Sequence, residues 1–82
     1  MNKNLIEKLS KDIATNILNQ PDRKIQPNEP LISNGMIDSF HLVDLALYVE
    51  DMFGVIIEDS ELNPNTFDTL EELANLIRSR QG

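Results

Sequence analysis

The chain contains no cysteine. That excludes disulfides, thiolate metal sites and any nucleophilic thiol supplied by the protein itself. It has a single histidine and three glycines, and no glycine-rich loop of the kind that cradles phosphates. No run of about 18 apolar residues exists, so no segment reads as a membrane-spanning helix. Met1-Asn2-Lys3-Asn4 leads straight into an amphipathic pattern without the apolar h-region of a secretory signal. Repeats and low-complexity segments are absent. These absences describe an intracellular, cytoplasmic protein with little chemistry of its own.

Basic residues are also missing from most of the sequence. Lys3, Lys8, Lys11, Arg23 and Lys24 lie in the first third, and Arg78 and Arg80 at the end. Between Ile25 and Ile77 there is no Lys or Arg against eleven acids, and the net charge is −7. Such a field repels phosphate backbones and excludes nucleic acid as a partner. It attracts basic protein surfaces and speeds encounter with them. With 82 residues the expectation is one domain, monomeric, with a modest core, since so small a domain buries only about 60% of its unfolded surface.

Leu5, Ile6, Leu9, Ile13 and Ile17 recur at helical spacing and predict a first helix over about 3–19. Asn19-Gln20-Pro21-Asp22 ends it. A long loop follows over 20–38, in which Leu31, Ile32, Met36 and Ile37 can pin the chain to a core; long loops in compact domains are often functional. A second helix is expected over about 39–53, with Asp38 capping its first turn and Gly54 ending it. Val55-Ile56-Ile57 reads as an extended linker, and residues 58–62 as a short third helix closed by Asn63-Pro64-Asn65. Thr69 with Glu72 has the form of a capping box and opens a fourth helix over about 69–80, with Leu70, Leu73, Ala74 and Ile77 on one face. The fold class is therefore all-α: a small four-helix bundle of three main helices and one short one.

The second helix has two apolar faces. At about 100° per residue, Leu42, Leu45, Ala46, Val49, Met52 and Phe53 gather within about a third of the circumference and form the core stripe. Phe40, Val43 and Leu47 fall on the other side, interleaved with Asp44, Glu50 and Asp51. An apolar strip rimmed by carboxylates and adjoining Ser39 is either covered by the first helix or the long loop, or is a docking surface in which apolar contacts give affinity and acids steer.

Ser39 is a good attachment point and a poor nucleophile. His41 lies about 200° round the helix from it and cannot serve as its base, and no G-x-S-x-G elbow is present. His41 reads as a solvated surface residue. Asp38, His41 and Asp44 share a side of the helix, but two carboxylates and one imidazole are too few for a committed metal site. No catalytic set emerges, so the protein is not expected to be an enzyme. An unmodified acidic helical protein–protein interaction module would use the same surface.

Gly35-x-Ile37-Asp38-Ser39-Phe40, then Val43-Asp44-Leu45, then Val49-Glu50-Asp51-x-Phe53-Gly54-Val55-x-Ile57 together resemble an acyl carrier protein, over nearly the whole chain. The resemblance implies that Ser39 takes 4′-phosphopantetheine from coenzyme A, added by a separate phosphopantetheinyl transferase. Acyl or aminoacyl groups then ride as thioesters on the arm, which imports the thiol the sequence lacks. Asp38 matches the acid before the modified serine. Phe40, Val43, Asp44, Leu47, Glu50 and Asp51 match partner-contact positions. A loading ligase and acyl-transferring enzymes with basic docking patches are the implied partners. Phe40 stands where leucine is commonest and His41 where fatty-acid-synthesis carriers usually have an acid. Those departures fit a carrier of a secondary pathway, or one loaded with an amino acid. Leu45, Val49, Ile57, Phe67 and Leu73 are expected inside, where they line either a packed core or a shelter for a short cargo.

Overall fold

The computed structural model describes residues 3–81; Met1, Asn2 and Gly82, which the expected domain over 1–82 includes, lie outside the described residues. Among these the fold is all-helical, without strands. Helix α1 (Lys3–Asp12) continues as a wider π-type stretch (Ile13–Ile17). Helix α2 (Ser39–Phe53), one 3-10 turn (Asp59–Glu61) and helix α3 (Leu70–Gln81) follow. The expected small helical bundle is the observed one.

The first helix is not one continuous α-helix over 3–19. Its buried positions Leu5, Leu9, Ile13 and Ile17 are four apart, and in an α-helix that spacing drifts about 40° per step. The wider turns, in which the Leu18 N–H donates to the Ile13 carbonyl five residues back at 2.9 Å, take more residues per turn and offset the drift. Ile13, Ala14 and Ile17 thereby stay in the core beside Leu5 and Leu9. Asn19 then turns the chain with a left-handed φ of 55°, a conformation asparagine tolerates better than most residues.

The long loop is tied down at three places. The Ser10 hydroxyl accepts from the Ile25 N–H and donates to the Ile25 carbonyl, both at 3.2 Å. The Leu31 N–H donates to the Asp68 carbonyl at 2.6 Å. The Asp68 carboxylate accepts from the N–H groups of Ile32 and Ser33 at 2.8 and 2.9 Å and from the Ser33 hydroxyl at 2.5 Å. Ile25, Leu31 and Ile37 are buried.

Leu42, Leu45 and Val49 of α2 are buried, and Ala46 and Phe53 pack against the core. Met52 does not join them: it is 48% exposed. It sits at the edge of the stripe, about 220° from Ser39 on the helical wheel, and near the end of the helix, where the core no longer reaches it. Gly54, at φ 68°, ends α2. In the extended segment that follows, Val55 and Ile57 are buried and Ile56 exposed, the in–out alternation of an extended chain.

The expected short helix over 58–62 is reduced to the single 3-10 turn Asp59–Glu61. The Asn63 carboxamide ends it, donating to the Ser60 carbonyl at 2.8 Å and accepting from the Asn65 N–H at 2.9 Å. Asparagine side chains that bond their own backbone favour turns over helix. The Thr69 hydroxyl does cap α3, accepting from the Glu72 N–H at 3.1 Å. Glu72 reaches back one residue further than a capping box requires, to the Asp68 N–H at 2.7 Å. At the far end of α3, Arg80 donates to the Ile56 carbonyl at 2.9 Å and pairs with the Glu61 carboxylate, so the helix clasps the segment after α2. The Tyr48 hydroxyl joins α2 to α1 through Asp12 at 2.5 Å, and Lys8 holds the same carboxylate at 3.1 Å.

Candidate functional site

Ile37 is buried and anchors the end of the long loop, so the chain reaches α2 from a fixed direction. Asp38 is in extended conformation, and its Oδ1 accepts the His41 N–H at 2.9 Å. A carboxylate in this position satisfies one of the free donors of the first turn and complements the positive end of the helix. The cap role, which a serine at a helix start commonly fills, is thus taken by Asp38. Ser39 is exposed, and its hydroxyl has no hydrogen-bond partner among the described residues.

The imidazole of His41 also folds back onto Asp38, with Nδ1 2.8 Å from Oδ1. The Asp38 carboxyl is held below its ordinary value, chiefly by the His41 backbone N–H and further by the imidazole, against an opposing effect of desolvation. The sequence pattern treats His41 as a solvated residue; the structure makes it the partner of Asp38. No hydrogen bond joins it to Ser39, and no cluster of three His, Asp or Glu side chains fit to hold a metal occurs among the described residues.

Along α2 from Ser39, Phe40 is 82%, Val43 49% and Leu47 60% exposed. They occupy a sector about 60° wide. Glu50 flanks it on one side and Asp44 and Asp51 on the other, all exposed. Leu47, Tyr48, Glu50 and Asp51 line a shallow hollow. Neither α1 nor the long loop covers the strip. Leu45, Val49, Ile57, Phe67 and Leu73 are all buried.

The structure is thus an all-helical bundle with an unengaged Ser39 hydroxyl at the mouth of an amphipathic helix. The family profile of the phosphopantetheine attachment site matches residues 11–77, most of the chain, and the protein belongs to that family. Searches of curated proteins and of solved structures return no significant match. Domains of this family are non-catalytic carriers of a covalent 4′-phosphopantetheine, served by a phosphopantetheinyl transferase and by biosynthetic enzymes. The local structure suits that group. A phosphodiester is an anion that must stay hydrated, and an exposed hydroxyl at the positive end of a helix provides such a place. No helix among the described residues is long and apolar enough to cross a membrane.

Proposed function

We propose that Ser39 is the attachment residue and that the protein carries acyl or aminoacyl intermediates for a specialised biosynthetic pathway. The observation that carries this reading is the idle Ser39 hydroxyl: exposed, outside the helix cap, and beside the uncovered strip. In attachment, the Ser39 oxygen forms a bond to the phosphorus of coenzyme A that bears the pantetheine. The diphosphate bond breaks, the nucleotide leaves, and the hydroxyl proton passes to a base of the transferase. Among the described residues no base is hydrogen-bonded to the Ser39 hydroxyl. The attached arm supplies a terminal thiol for thioester formation.

Asp38 holds the first turn of α2 in place and keeps the hydroxyl free. Phe40, Val43 and Leu47 give apolar contact to visiting enzymes, while Asp44, Glu50 and Asp51 steer basic patches toward it. Contacts of this size are weak and release quickly, as successive enzymes require. A loading ligase and acyl-transferring enzymes are the partners this surface fits.

Incubation with coenzyme A and a broad-specificity phosphopantetheinyl transferase tests the assignment by intact mass. Wild type is expected to gain one phosphopantetheine and Ser39→Ala none. No adduct on wild type beside an actively labelled control carrier would favour the unmodified interaction module. An adduct that persists in Ser39→Ala would move the attachment to another residue.

A further inference from the structure

The carrier reading leaves the basic residues of the chain without a task. Three of them converge. Lys11, Arg23 and Lys24 line one hollow between α1 and the loop after it, together with Ile6, Pro21 and a single acid, Glu7. In a chain with 14 acids and 7 Lys or Arg, cations should find partners easily. Lys8, Arg80 and, at 3.4 Å, Arg23 do. Lys11 and Lys24 make no ion pair among the described residues. The Ser10 hydroxyl, which also lines the hollow, grips both backbone groups of Ile25 and holds the loop against α1 next to Lys24 in the chain. Ile6 and Pro21 supply apolar surface between the charges.

We propose that this hollow is a second docking surface, for an acidic segment of another protein that also brings an apolar side chain. Charge complementarity selects the acid, and Ile6 and Pro21 select the apolar contact. The lining takes no residue from α2, so both surfaces can be occupied at once. At physiological ionic strength fields fade over about 8 Å, while the molecule extends 32 × 27 × 21 Å; the distant acids of α2 are therefore screened from the hollow, where Lys11 and Lys24 face Glu7 and Arg23 is shared with Glu29. The net negative charge does oppose a second copy of the chain, which would bring −7 against −7. A tether here would raise the effective concentration of the carrier near its enzymes while leaving α2 free. The inference stands independently of the assignment of Ser39.

The test is amide NMR of the full chain titrated with a synthetic peptide alternating Glu and Leu, with a Ser-for-Glu peptide as control. Saturable shifts confined to the neighbourhood of Ser10, Lys11, Arg23 and Lys24 are expected, weakening with salt. Lys11→Gln with Lys24→Gln should bind roughly fivefold more weakly, as two exposed charge contacts imply, with an unchanged circular dichroism spectrum and an unchanged rate of arm attachment. Three outcomes overturn the proposal: no shifts, shifts centred elsewhere, or equal affinity in the double variant. Tighter binding to anionic phosphatidylserine vesicles than to the peptide would assign the hollow to a lipid surface, and concentration-dependent sedimentation of the protein alone would assign it to self-association; either also overturns it.

Discussion

Asp68 is the residue on which the long loop depends most. Burial raises its pKa, but the donors on its carboxylate, the Ser33 hydroxyl and the N–H groups of Ser33 and Ile32, outweigh burial, and the net shift is downward. Removing them should cost about 1.5–3 kcal/mol, the range for hydrogen bonds to charged groups. Asp68→Ala is therefore expected to lower Tm at neutral pH by about 4–8 °C per kcal/mol and to speed hydrogen exchange at Ile32 and Ser33. Because the folded-state pKa lies below the unfolded one, the contribution is complete above the unfolded value near 3.8. It is lost as pH falls through the folded value. Glu61, held at about 2 by Arg80 and by the Glu58 backbone, adds to the same acid limb. Melts between pH 5 and 2 should show a shallower loss in Asp68→Ala than in wild type; parallel curves with unchanged exchange would remove the anchoring role. Sequence patterns do not reveal this anchor, because the donors lie 35 and 36 residues from Asp68, and Ser10 meets Ile25 across 15. Ser39 and Asp38 are legible because a helix start is decided by neighbours.

At the scale of elements, α2 is the most readable part of the chain. Glycine and aspartate mark its ends, and wheel arithmetic separates Phe40, Val43 and Leu47 from Leu42, Leu45 and Val49. Only Met52, at the margin of the stripe, falls on the wrong side. The wider turns after Asp12 are hidden, since periodicity records which residues face inward but not how the backbone adjusts to keep them there. The proposed division of labour on α2 can be separated by variants that leave the core untouched. Asp44→Lys or Glu50→Lys should reduce kcat/KM of a basic partner enzyme several-fold, mainly through slower association, without lowering Tm, because both side chains are exposed and each reversal relieves repulsion among the acids. Unaltered kinetics in both variants would show that the acids play no part in docking. Gly54→Ala should behave oppositely. Forcing a Cβ onto a left-handed φ of 68° costs about 1 kcal/mol, so stability falls while attachment at Ser39 proceeds at the wild-type rate.

For the whole molecule, the decisive quantity is the imbalance of charge. Three ion pairs link Lys or Arg to acids among the described residues, and exposed pairs of this kind are each worth about 0–1 kcal/mol. Against them stand a net charge of −7 and a stretch from Ile25 to Ile77 with eleven acids and no base. Added salt weakens attraction and repulsion alike, but self-repulsion sums over every pair of acids within a Debye length, whereas each attraction is a single contact. Screening therefore relieves more repulsion than it removes attraction. Tm should rise between low and moderate NaCl, by about 4–8 °C for each 1 kcal/mol of repulsion removed. Mg²⁺ should act at far lower concentration because a divalent ion pairs with crowded carboxylates. Differential scanning calorimetry across both series decides the sign. A falling Tm would mean that the ion pairs, with the Arg80–Glu61 clasp foremost, hold the bundle more firmly than its acids drive it apart. Arg80→Gln would then lose most of the salt dependence.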